Sequence, residues 1–218
     1  MPRTPHDLVL FDLDGTLTDP AAGICRSINH ALTSHGFDAQ PDAELTRYIG
    51  PPIDQTFATL TGAGDPLAIE SMVARYRERY GDVGFAENRV YPGVPETLSA
   101  LAEAGVGMAV CTSKRVDFAI KVLDLFDLRR FFDFVHGGDV GIDKTMQLTS
   151  LREQGRVGAK SLMIGDRGVD LSAARRNGLF AGGVIWGYGS REELVAERPD
   201  YLFESCHEWV SLAEDASP

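Results

Sequence analysis

Two carboxylates spaced by one residue, Asp12 and Asp14, stand where the apolar run Leu8-Val9-Leu10-Phe11 ends, and Gly15 follows them directly. Side chains alternate along a strand, so positions 12 and 14 project the same way at a strand's exit. Such a pair suits phosphatase chemistry, in which one carboxylate attacks phosphorus and the other shuttles the proton. Asp and Gly are also ordinary turn formers, so this motif alone leaves a plain turn open. A second cluster narrows the choice. Ser161-Leu162-Met163-Ile164-Gly165-Asp166-Arg167-Gly168-Val169-Asp170 is again an apolar strand, a glycine and two acids four residues apart. Two strands delivering acids to one edge of a parallel sheet build an oxygen-only pocket for a hard divalent cation, with Mg²⁺ the best fit.

Positioning these acids requires an α/β framework, and the hydropathy pattern supplies one. A strand over 8–12 leads to Asp19-Pro20, read as an N-cap with proline at the first helical position. From there to residue 86 only helical spacing recurs, in Ile24, Ile28 and Leu32 and again in Ile69, Met72, Val73, Tyr76 and Tyr80. Past Tyr91-Pro92-Gly93 helices and strands alternate: helix 94–104, strand 106–111, helix 115–125, a short strand near 134–135, helix 144–153, strand 161–165, helix 168–176, strand 183–186, then helices near 190 and 205. Strands separated by helices imply a parallel, Rossmann-like sheet with right-handed crossovers, here carrying an inserted helical domain. Residues 213–218 read as a frayed tail.

Composition sets further bounds. A formal net charge of -11 over 218 residues argues against a nucleic-acid polymer as partner. No apolar run approaches membrane-spanning length, so no membrane is expected. The three cysteines, Cys25, Cys111 and Cys206, are odd in number and form no Cys-x-x-Cys, which fits a reducing cytoplasm better than a disulfide framework or a zinc site. Cys111 adjoins the expected active edge but reads as a small buried apolar residue.

In four ordered segments the chain resembles the haloacid dehalogenase superfamily of aspartate-nucleophile phosphatases: Asp12-Leu13-Asp14-Gly15-Thr16, Val110-Cys111-Thr112-Ser113, Lys144, and Gly165-Asp166 with Asp170. The resemblance implies that Asp12 is the nucleophile and a metal ligand, and that Asp14 is the general acid and base, its carbonyl also facing the metal. It further implies that Asp166 binds Mg²⁺ directly and that Asp170 acts through water or by orienting the site, with helix capping as the alternative for Asp170. Thr112, the Ser113 amide and the Gly15 amide would hold phosphate oxygens. Lys144 would be the cation beside nucleophile and phosphate, although Thr145 follows it where many relatives carry proline; Lys114 is its rival.

By the same resemblance residues 19–87 are a class 1 cap inserted into a core of 1–18 and 88–218, with hinge segments near 16–20 and 86–93. Arg47 and Gly50, in Arg47-Tyr48-Ile49-Gly50-Pro51-Pro52, fall where such caps carry their specificity loop, and Arg47 would pair with a substrate carboxylate or second phosphate. Asp14 argues against a dehalogenase. The absence of lysine from residues 1–113 argues against a phosphonatase, which needs a cap lysine. The segments Ile49-Gly50-Pro51-Pro52, Glu87 to Gly93, Thr112-Ser113-Lys114 and Trp186 to Ser190 resemble the phosphoglycolate phosphatase-like branch, which includes 5′-nucleotidase-like members. The expected partner is therefore a small phosphorylated metabolite, acted on by a monomer or homodimer. A β-phosphoglucomutase-like phosphotransferase and, outside enzymes, a phosphate-sensing regulator are the alternatives.

Overall fold

The sheet is built outward from β1 (Val9–Phe11), all three residues of which are buried. Its alternate side chains face opposite ways: Val9 and Phe11 join one apolar cluster with Leu98, Val122 and Trp209, while Leu8 and Leu10 join another with Leu148, Leu171 and Ala174. A strand covered on both faces must be apolar throughout, which is why this run shows no polar alternation. The computed structural model describes residues 6–62 and 64–213.

A ribbon of β2 (Thr18–Asp19) and β3 (Arg89–Val90) pairs antiparallel. Between its strands lie α1 (Ala21–Ser34), α2 (Asp42–Leu45), α3 (Ile53–Thr61) and α4 (Pro66–Asp82). These helices bury their own cluster, with Ile24, Ile28, Leu32, Phe57, Met72 and Tyr80. After the ribbon come α5 (Val94–Glu103), β4 (Met108–Arg115), α6 (Val116–Leu125), β5 (Val135–Gly138), α7 (Lys144–Glu153), β6 (Leu162–Gly165), α8 (Gly168–Arg176), β7 (Phe180–Val184), α9 (Arg191–Ala196) and β8 (Tyr201–Phe203). A 3₁₀ segment, Cys206–Ala213, ends the described chain.

The six-stranded sheet runs β5-β4-β1-β6-β7-β8, and every pairing is parallel. This is the expected α/β, Rossmann-like core with an inserted helical body. Differences are local. Pro20, not Asp19, takes the cap position of α1, and Asp19 instead accepts the Ala21 N–H at 3.0 Å through Oδ1. Strand β7 lies at 180–184 rather than 183–186, and β8 was not anticipated. Of the expected tail, residues 214–218 lie outside the described residues. The three cysteines are free and buried. Among the described residues no helix is long and apolar enough to cross a membrane.

Candidate active site

The C-terminal ends of β1, β4 and β6 meet at one sheet edge, where a doubly wound fold collects its ligands. Asp12 follows β1 directly, and its amide, donating to the Ile164 carbonyl at 2.8 Å, stitches it to β6. Lys144 is the first residue of α7 because Asp143 caps that helix, accepting from the Met146 N–H at 2.8 Å. The cap therefore fixes where the lysine emerges. Its Nζ lies 2.9 Å from Asp12 Oδ1, 3.0 Å from Asp170 Oδ1 and 2.7 Å from the Cys111 carbonyl.

The rival lysine is also at the site, on the other acid. Lys114 Nζ lies 2.7 Å from Asp14 Oδ2 and donates to the Tyr80 hydroxyl of α4 at 2.6 Å. Each carboxylate of the Asp12/Asp14 pair thus has its own buried ammonium. Thr112 is buried, accepting the Lys114 N–H at 3.3 Å through Oγ1, and Gln147 holds the Thr112 carbonyl from α7 at 2.8 Å. Nothing in the local sequence pointed to Gln147; its position one turn past Lys144 on the same helix face is the only signal.

Asp12, Asp166 and Asp170 are buried with ligand oxygens within 4.8 Å of one another. Asp166 is further held by the Tyr188 N–H at 2.8 Å and by Thr16 Oγ1 at 3.4 Å. Asp170 takes the capping place the sequence left open, its Oδ2 accepting the Arg167 N–H at 3.2 Å, while its Oδ1 faces Lys144 at 3.0 Å. Burial, reinforced by Asp12 and Asp170, pushes the Asp166 carboxyl well above the usual range, and burial pushes Asp170 up to about 6 against the pull of Lys144. Burial disfavours the charge on Lys144, but Asp12 and Asp170 outweigh it and raise the ammonium's pKa. Three close carboxylates, two of them on the Lys144 ammonium, form an all-oxygen donor set that fits a small hard divalent cation.

Asp14 is raised by burial, partly offset by Lys114, and its Oδ1 is buried with no hydrogen-bond partner among the described residues. That carboxyl is poised to hold a proton. The Cys111 thiol, by contrast, is pushed up to about 12 by burial, which leaves it a packing residue as expected.

A cavity of about 80 Å³ opens over Asp12 and Asp14. The sheet edge contributes Thr112, Ser113 and Lys114 to its walls, and the helical body contributes Tyr48, Gly50, Pro51, Pro52, Tyr76 and Tyr80. Two expected site residues take other places. Arg47 is exposed, its guanidinium 5.0 Å from the Tyr48 ring centroid, and it does not line the cavity, because the 3₁₀ turn Thr46–Tyr48 aims it outward. Gly15 does not offer its amide to a phosphate: that N–H donates to the Thr18 carbonyl at 2.7 Å. Glycine is needed there because φ is +87° and a Cβ would lie 2.2 Å from Asp166 Oδ2.

A profile of the haloacid dehalogenase-like hydrolases matches residues 9–184. A protein of Pseudomonas aeruginosa named 5′-nucleotidase is 41% identical over 197 residues, covering 88% of this chain and 89% of that protein. A phosphoglycolate phosphatase of Agrobacterium fabrum is 32% identical over 210 residues, covering 93% and 90%. The crystal structure of a predicted phosphatase from Clostridium acetobutylicum superposes with a TM-score of 0.89 at 32% identity, covering 94% of this chain and 97% of that one.

Proposed function

The chain belongs to the haloacid dehalogenase-like hydrolases, and from that premise we propose that it is a Mg²⁺-dependent phosphatase of a compact phosphate monoester, phosphoglycolate phosphatase-like in its preference. The observation that carries the reading is the division of the two leading acids: Asp12 paired with Lys144, Asp14 paired with Lys114, and both facing one small cavity.

In this reading Asp12 attacks phosphorus and forms an aspartyl-phosphate as the ester P–O bond breaks. Asp14, whose pKa burial raises against the pull of Lys114, would deliver a proton to the departing alkoxide. It then takes a proton from water, which displaces phosphate from Asp12 and regenerates the carboxylate. Lys144 holds the nucleophile in line and offsets charge as the dianion approaches. Thr112 and Ser113 would bind phosphate oxygens from the end of β4. Asp12, Asp166 and Asp170, with the Asp14 carbonyl, would hold Mg²⁺, whose charge lowers the repulsion between carboxylate and phosphate.

Residues 19–87 would serve as the cap, closing over the cavity. Its volume, far below the ~300 Å³ where pockets for drug-sized ligands begin, supports a leaving group of glycolate size over a nucleoside. The 41% identity to a protein named 5′-nucleotidase favours the second reading, a nucleoside monophosphatase that admits its substrate with the cap displaced.

A panel of phosphate monoesters compared by kcat/KM decides between them. We expect Mg²⁺-dependent hydrolysis with 2-phosphoglycolate ahead of nucleoside 5′-monophosphates, and loss of turnover in Asp12→Asn by at least about a thousandfold. A tenfold or greater preference for nucleotides would transfer the assignment to the second reading. Turnover by Asp12→Asn near the parent rate would remove the nucleophile from its role.

A further inference from the structure

Arg167 lies between two acids of the cluster, Asp166 and Asp170, yet its side chain turns away from them. Its Nε donates to Glu193 Oε1 of α9 at 3.1 Å, and that same oxygen is fixed by the Gly168 N–H at 2.7 Å. Its Nη1 donates across to the helical body, to the Ile49 carbonyl at 2.8 Å. The guanidinium therefore bridges sheet core and cap loop while four-fifths of its side chain is covered.

Each end of the bridge is anchored. Ile49 is 1% exposed within the apolar cluster of the helical body, so its carbonyl cannot drift without disturbing that core. Gly50 lies flat on the arginine: its φ is +107°, and a Cβ there would come within 3.3 Å of Arg167 Cγ and 3.5 Å of Nη1. That positive φ and close approach explain the glycine at this position of the loop. Beyond it, Pro51 and Pro52, with φ fixed by their rings, carry the position of the arginine into the cavity wall.

We propose that Arg167 is a positioning residue that seats the 49–52 loop on the core and so sets the size of the leaving-group pocket. A donor bound to a backbone carbonyl fixes the loop's path and leaves its side chains free for substrate. A guanidinium suits the task because its planar fork reaches Glu193 and Ile49 at once, which a single ammonium on a shorter reach does not. Other ties between helical body and core contrast with it, and the Lys121 ammonium on the Gly81 carbonyl at 3.1 Å is exposed. Arg77 to Asp139 is largely exposed, and Tyr80 to Lys114 ends at a cavity-lining side chain.

The kinetic arm of the test rests on the phosphatase reading above; the exchange arm does not. In Arg167→Gln we expect KM for 2-phosphoglycolate to rise about tenfold while kcat stays within about threefold, the split that marks lost ground-state positioning. Amide exchange across 46–56 should accelerate, with the melting temperature held within a few degrees. Glu193→Gln keeps an acceptor for the Gly168 N–H but loosens the arginine, and should move both readouts in the same direction. Arg175→Gln, an exposed arginine on α8, should move neither. Unchanged KM and unchanged exchange in 46–56 would overturn the proposal, as would a fall in kcat with KM untouched. A parent enzyme with no phosphatase activity would remove the phosphatase reading and leave exchange to decide the clamp.

Discussion

At the scale of single residues the site gives each of the two lysines, which the sequence ranks as first choice and rival for one role, an acid of its own. Lys144 pairs with Asp12, the proposed nucleophile, and Lys114 with Asp14, the proposed acid, so their removal should differ in kind. Lys144→Met takes away a buried charge beside the attacking carboxylate, and we expect kcat to fall by ~10²–10³, the range for loss of one preorganised electrostatic group. Lys114→Met removes the cation that holds down the Asp14 pKa. In the proposed mechanism Asp14 carries a proton to the leaving group, so activity should be lost as pH rises through its pKa. Without Lys114 that pKa rises, so the alkaline limb of kcat/KM for an alkyl phosphate should move to higher pH. A pH profile recorded at saturating Mg²⁺ checks this, and an unmoved limb would separate Lys114 from the acid's function. Arg47, expected to read the substrate's second anion, stands outside this circle.

At the scale of elements, the helical body is seated on the sheet edge by buried contacts more than by its visible ion pair. Arg77 of α4 meets Asp139, past the end of β5, at 2.6 Å, but the two side chains are 27% and 58% exposed. Exposed pairs contribute only ~0.2–1 kcal/mol, so Arg77→Gln should raise KM no more than about fivefold, less at high salt. A larger, salt-independent change would mean that this pair controls closure. The elements themselves were legible where local chemistry marks their ends. Helices 144–153 and 168–176 lie where expected, the first opened by Asp143 and the second by the Asp170 carboxylate at the Arg167 amide. Legibility failed where tertiary partners decide. Strand β8 is three residues at the sheet's edge, held by pairing to β7 and not by any run of its own. The contacts Arg167 to Ile49 and Lys114 to Tyr80 join residues far apart in the chain, so no spacing announces them. The motif acids could be found in sequence because strand exits fix their direction; the direction of Arg47 depends on one 3₁₀ turn, which spacing does not encode.

For the whole molecule, the acid cluster ties stability to pH and, in the proposed reading, to Mg²⁺. A carboxyl whose pKa is raised on folding favours the fold when protonated, so its contribution is present below the unfolded value near ~4 and is lost as pH rises through the folded value. For Asp170 that folded value is about 6, and for Asp166 it is also raised. The metal-free protein should therefore lose stability between about pH 4 and neutrality from this source, and Mg²⁺ at pH 7.5 should restore it by binding only the folded cluster. Asp166→Asn puts a neutral amide where burial, Asp12 and Asp170 disfavour a charge. It should melt higher than the metal-free parent at pH 7.5 yet gain little from Mg²⁺, as thermal scans with and without chelator would reveal. An undiminished Mg²⁺ shift in the variant would take Asp166 out of the metal site.

The central place of β1 bears on how the chain is made. Its hydrogen-bonding neighbours are residues 108–110 on one side and 162–164 on the other. As the polypeptide leaves the ribosome, the earliest strand has no partner until β4 is made and keeps one edge open until the much later β6 arrives, while the helices of 21–82 have their apolar partners already at hand. Contacts of such long separation are slow to form and leave apolar strand edges open in the meantime. A nascent chain stalled near residue 150 would thus carry a folded helical body on an unfinished sheet, a state suited to capture by chaperones. Phosphatase competence would come late in synthesis, only after the second cluster of acids has joined the first.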